Sequence, residues 1–198
     1  MTTKAMLTGL TLAGVVLASA SLAGPAFAHT GAGAVHGFGA GLLHPLTGFD
    51  HLLAMVAVGL WAGLTGGRAR LAYPFAFVAM MFAAGWWGMT GANLPGVETG
   101  IAVSIVILGL AIVFRATPPL AAGAAACAIF AIFHGHAHGA ELPQGASGIG
   151  YAVGFVLATA GLHATGLGLA GQLARFAPLV TRAIGGGVVV AGVAILAG

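Results

Sequence analysis

Apolar positions in this chain show neither the alternation of a half-buried strand nor the single stripe of a soluble helix. They run on continuously over residues 38–66, 71–91, 98–115, 118–139, 147–171 and 178–197. A helix needs about 20 apolar residues to cross a bilayer, and each run is near that length. The interruptions carry Gly67 and Arg68, Gly96, Pro118 and Pro119, Pro143 and Gly145, then Pro178, residue types that end helices and form turns. The pattern predicts an all-α fold, with six transmembrane helices in a compact bundle and no room for a soluble domain. Upstream, Lys4 precedes an apolar stretch from Leu7 to about Leu17, and Ala26-Phe27-Ala28 follows. That is the layout of a cleavable secretory signal peptide, the alternative being an uncleaved first membrane helix. The expected division is therefore a signal peptide over residues 1–28 and a single six-span domain over 29–198.

Composition leads to the same class. The 198 residues are 60% hydrophobic and 5% charged, with a mean hydropathy of +1.08. A soluble domain carries about 25% charged residues, so this chain cannot clothe a water-facing surface. The 35 glycines lie inside the apolar runs, where small residues let membrane helices approach closely. The single cysteine, Cys127, excludes an internal disulfide and a cysteine-based zinc framework and reads as a small packing residue.

Charge then orients the bundle. The net charge is +3, but the 6 basic residues are scattered singly and form no nucleic-acid patch. With the mature N-terminus outside, the first, third and fifth connections face the cytoplasm. They hold Arg68 and Arg70, Arg115 and Arg175, with Arg182 at the start of the last span. Glu98 and Glu141 fall in the outward connections. This is the positive-inside distribution. It predicts a multi-pass protein of the bacterial inner membrane with both mature termini in the periplasm.

Against this background, His44-Pro45-Leu46-Thr47-Gly48-Phe49-Asp50-His51 is costly. Ionisable groups at membrane depth are expensive and mark functional sites. His44 and His51 are seven apart and share a helix face, whereas Asp50 lies about 100° round from His51 on a regular helix. Bringing all three together requires a bend at Pro45 or Gly48; a plain Asp50–His51 pair that fixes helix packing is the alternative. The second cluster is Phe133-His134-Gly135-His136-Ala137-His138-Gly139-Ala140-Glu141. His134 and His138 share a face and His136 points away if the helix is regular. Three imidazoles beside a carboxylate suit a divalent nickel, copper or zinc ion, the alternative being a solvated terminus with adventitious affinity. Both clusters fall toward the outer face and can meet.

Further histidines extend the set. His163, deeper in the fifth run, fits a transfer path or a hydrogen bond to Thr159, four residues earlier. His36 precedes the first run, and His29 would become the first mature residue, where its amine and imidazole could chelate together. Met55 reads as packing rather than a thioether ligand, and Trp86 with Trp87 as an interfacial aromatic belt.

At the two clusters the chain resembles the HupE/UreJ family of nickel/cobalt permeases. His-Pro-x-x-Gly-x-Asp-His at 44–51, followed by Leu52-Leu53-Ala54-Met55, is similar to that family's signature, and Phe133–Glu141 to its fourth-span motif. Five residues separate His44 from Asp50, where the wider nickel/cobalt permease superfamily has four; the spacing favours HupE/UreJ. The resemblance implies that His44, Asp50, His51, His134, His136, His138 and Glu141 select the metal. It also implies Ni²⁺ or Co²⁺ as transported substrate, with no prosthetic group, and supply of a nickel enzyme such as hydrogenase or urease.

Neutral imidazoles would replace the ion's water, so uptake is expected to fall as pH drops through the histidine range. Histidine ligation disfavours Mg²⁺ and Ca²⁺ without separating nickel, cobalt, zinc and copper. There is no P-loop or ATPase domain, so energy comes from an ion gradient, the membrane potential or another protein. The expectation is a permease and not an enzyme, working with a metal ion and the bilayer, with a homo-oligomer left open. Its rivals are an intramembrane metalloenzyme and a metal-binding sensor or accessory protein without transport.

Overall fold

The computed structural model describes residues 37–142, 148–176 and 178–198, which form seven helices. These are α1 (Gly37–Thr47), α2 (Phe49–Thr65), α3 (Ala69–Met89), α4 (Val97–Val113), α5 (Leu120–Ala140), α6 (Gly148–Phe176) and α7 (Pro178–Ala197). The expected signal peptide, with His29 and His36, lies outside the described residues. Among the described residues the fold is all-helical, as the apolar runs predict, and helix bounds agree with them to within a few residues.

The first run differs from a simple span. It is two helices bent by 81°. The helix passes through Pro45 and stops two residues later, where the Thr47 hydroxyl donates to the His44 carbonyl at 2.9 Å. Gly48 is extended, at φ −86° and ψ 110°, and α2 starts afresh after it. Among the described residues, four helices are long and apolar enough to cross a membrane (α3, α5, α6 and α7), and the bent pair makes a fifth. The 17 residues of α4 are apolar but shorter. By length and composition, then, four to five spans stand where six were expected.

The helices associate mainly in pairs, α3 with α5, α4 with α7, and α1 and α2 with α6. Glycines set the close approaches. A Cβ on Gly135 would run into the Met81 backbone, and one on Gly139 into that of Gly85. Gly123 meets Tyr73, so α3 and α5 advance together and run parallel. Gly59 abuts the His163 carbonyl and Gly63 abuts Leu167 and Ala170; α2 and α6 are parallel too. Gly192 packs on Ala102 and Val106, and Gly185 on Ile112 and Val113, so α4 and α7 are antiparallel. These directions gather Arg68, Arg70 and Arg115 at one end of the bundle, and Glu98 and Glu141 at the other.

Polarity is inverted relative to a soluble protein. Leu71, Phe75, Phe114 and Leu179 are more than 70% exposed, while His51, Ser104, His134, His136, His138, Thr159, His163 and Thr181 are buried. An apolar exterior, with the polar groups gathered inside a largely apolar core, is what a lipid environment selects, because every buried polar group must be satisfied from within.

Candidate metal centre

The break at Gly48 positions the first half of the centre. It turns the last residues of α1 and the first of α2 toward the C-terminal turns of α5. His44 comes from α1, Asp50 and His51 from α2, and His134 and His138 from α5. Their rings form a continuous series. Centroids are 4.7 Å apart for His44 and His138, 4.1 Å for His51 and His138, and 5.0 Å for His51 and His134. The two clusters separated in sequence are one cluster in space, with His138 at its middle.

Hydrogen bonding decides which ring nitrogens are free. Asp50 Oδ1 lies 2.8 Å from His51 Nδ1 and also accepts from the His51 backbone N–H at 2.8 Å. A carboxylate only accepts, so Nδ1 carries the proton of the neutral ring and Nε2 keeps its lone pair. That Nε2 is buried with no partner. Asp50 thus orients His51, in the way metal-ligating histidines are held by a carboxylate on the far nitrogen. It also sits in the first turn of α2, where the helix dipole favours a negative charge. For His134 the equivalent partner is Ser104 on α4. The Ser104 hydroxyl donates its one proton to the Ile101 carbonyl at 2.7 Å, so its oxygen accepts from His134 Nε2, 2.9 Å away. His134 Nδ1 is left buried and unpartnered, as are both nitrogens of His138.

A second set of donors lies on the outer side of His138. His44, His138 and Glu141 each offer one ligand atom, all within 4.8 Å of one another. His44 Nε2 is 3.5 Å from Glu141 Oε2. Tyr151 and Phe155 of α6 wall this side, with Phe155 4.3 Å from the His138 ring. A groove between α3, α5 and α6, lined by Phe82, Trp86, Tyr151 and Phe155, reaches His138.

Two expected ligands stand differently. His136 turns away, as its odd spacing on the helix requires. Its Nε2 donates to the Ala92 carbonyl at 2.7 Å, its ring packs on Trp87, and it lines a separate cavity with Ala92 and Asn93. Asp50 is committed to His51 rather than directed at the other imidazoles. His163 is buried deeper, with no hydrogen bond to Thr159 or to any other group. Phe77 on α3 separates it from the cluster, 5.6 Å from His134 and 5.4 Å from His163. Sequence reasoning missed Ser104, Phe77 and Phe155. Only Ser104 left a trace, as the one polar side chain of α4 beyond its first turn.

An apolar helical bundle with buried, converging imidazoles defines a polytopic membrane protein with a histidine-rich interior. Comparison with known proteins narrows that class. The profile of the family described as HupE / UreJ protein matches residues 8–195. The chain is also similar to Protein HupE of Rhizobium leguminosarum bv. viciae, 46% identical over 182 residues, which cover 90% of this chain and 95% of that protein. It belongs to the HupE/UreJ family. No solved structure matches it.

Proposed function

We propose that the chain is a six-span permease that carries Ni²⁺ or Co²⁺ from the periplasm to the cytoplasm and supplies a nickel enzyme such as hydrogenase or urease. The observation that carries this reading is the set of buried, unpartnered nitrogens on His51, His134 and His138, which converge from two helices at one end of the bundle. Unsatisfied polar atoms are costly in a membrane interior, and a borderline cation is the partner that suits neutral imidazole. Family membership supports the same reading.

In the proposed sequence, a hydrated cation first meets His44, Glu141 and His138, where the Glu141 carboxylate offsets charge as water is shed. His138 then passes it to His51 and His134. The arginine-poor end that holds Glu98 and Glu141 is the periplasmic one, by the positive-inside rule. α4 completes the count of six spans despite its length. With the inside negative, the membrane potential favours the inward step by about 4.6 kcal/mol per 100 mV for two charges. The test is accumulation of labelled Ni²⁺ and Co²⁺ in cells with and without the chain, and with His44→Ala. Uptake that depends on the chain and is lost in the variant at normal membrane abundance supports the permease. Binding without accumulation would instead favour a sensor or accessory protein, and metal-dependent hydrolysis with Glu141 as base would favour an intramembrane metalloenzyme.

A further inference from the structure

Beyond the outer cluster, α6 carries a second pair of polar groups that the transport step above does not use. His163 and Thr159 are four residues apart, one helical turn, and share a face. His163 is 2% exposed and Thr159 0%. Neither His163 nitrogen has a hydrogen-bond partner, and neither does the Thr159 hydroxyl. A hydroxyl and an imidazole one turn apart would readily bond each other or a backbone carbonyl; here they do neither. His163 lies about 22 Å along α6 from its start at the cluster end, at 1.5 Å per residue, near the middle of that 29-residue helix.

Phe77 stands between this pair and the outer cluster. Its ring is fully buried and touches both sides, edge-on to His163 and tilted against His134. An aromatic face is attractive to a cation without offering it a bond. It can therefore divide two ligand sites and let an ion pass when the ring rotates.

We propose that His163, with the Thr159 hydroxyl, is an inner binding site for the transported divalent cation, and that the Phe77 ring separates it from the outer histidine cluster. This rests on the permease reading and adds a second stage to it. The outer cluster captures and strips the ion, and the inner site receives it on the cytoplasmic side of the ring. Two sites of lower ligand count along the path keep the ion from being trapped in one deep well, since conduction needs binding weak enough to leave.

The test uses the full chain in proteoliposomes, with Ni²⁺ binding and Ni²⁺ uptake measured on the same preparation. His163→Leu is expected to bind Ni²⁺ within about twofold of the parent, because the outer cluster is a separate site, while uptake falls about tenfold or more. Thr159→Val is expected to slow uptake in the same direction by less. His163→Cys supplies a softer ligand and should retain uptake with preference shifted from Ni²⁺ toward Cd²⁺, a change that a packing role would not produce. Parental uptake by His163→Leu would overturn the inner site and leave the permease reading standing. So would loss of uptake in both His163 variants with no change in metal preference. Failure of the parent chain itself to accumulate Ni²⁺ would overturn both. If His163→Leu does not insert, His163→Cys and Thr159→Val decide the matter.

Discussion

His138 packs against both His44 and His51, and both its ring nitrogens are buried and unpartnered among the described residues. It joins the outer carboxylate set to the inner imidazole set, so its loss should divide the site. Asp50 and Ser104 act at one remove, by fixing which nitrogen of His51 and of His134 bears the proton. Asp50→Asn preserves shape but offers an amide that can rotate and donate to the wrong nitrogen. Isothermal titration with Ni²⁺ should show affinity reduced by about 10–100-fold, the usual effect of losing such a partner. His136→Ala is the contrasting variant. Because its ring bonds the Ala92 carbonyl and faces another cavity, Ni²⁺ affinity should stay within about threefold of the parent, as expected for a side chain outside the site. A large loss there would contradict the ligand set drawn from the geometry. The motif alone joins all three histidines of α5 into one set; helical periodicity separates His136 from the other two, and the structure follows the periodicity. Phe77 and Phe155 were not legible in the sequence, since phenylalanines are ordinary in apolar spans, and Ser104 left only the trace of a lone hydroxyl in α4 beyond its first turn.

At the scale of elements, the bend at Gly48 and the glycine-mediated pairing of α3 with α5 do the positioning. The sequence pointed to a bend at Pro45 or Gly48, because the two histidines and Asp50 cannot converge from one straight helix. Which of the two gives way is a matter of tertiary packing. Pro45 is buried within a continuing helix, and the chain turns where glycine ends α1. Helix existence was legible from the length of the apolar runs, whereas helix partners were not. Continuous apolar faces carry no stripe to say which side meets which neighbour, and only the small residues hint at it. Gly135 lies between His134 and His136 and abuts the Met81 backbone. Gly135→Ala should therefore push α5 off α3, lowering stability by about 1–3 kcal/mol as overpacking does. Thermal unfolding of the purified protein in detergent measures it, and an unchanged midpoint would contradict the close packing described.

For the whole molecule, the pairing of α1/α2 with α6 and of α3 with α5 is exchanged when the segment α1–α4 is swapped with α5–α7, and α4 with α7 maps onto itself. The sequence gives no sign of such a repeat, because both histidine clusters lie toward the same end of the bundle while inverted repeats would place them at opposite ends. The candidate centre instead draws on both halves of the chain, with His44, Asp50 and His51 from the first and His134 and His138 from the second. Protons compete with the metal for every ligating imidazole, so uptake should fall as pH falls. Rates measured at fixed membrane potential as the pH is lowered check the sign, and rising uptake toward acid would argue against histidine ligation.

The most direct measurement is Ni²⁺ entry into proteoliposomes that hold the purified chain, under an inside-negative potential, compared with His138→Ala reconstituted at the same density. The account predicts Ni²⁺ accumulation by the parent chain and its abolition in the variant, with helix content unchanged. Accumulation at the parental rate by His138→Ala, or binding by the parent chain with no accumulation at all, would contradict it.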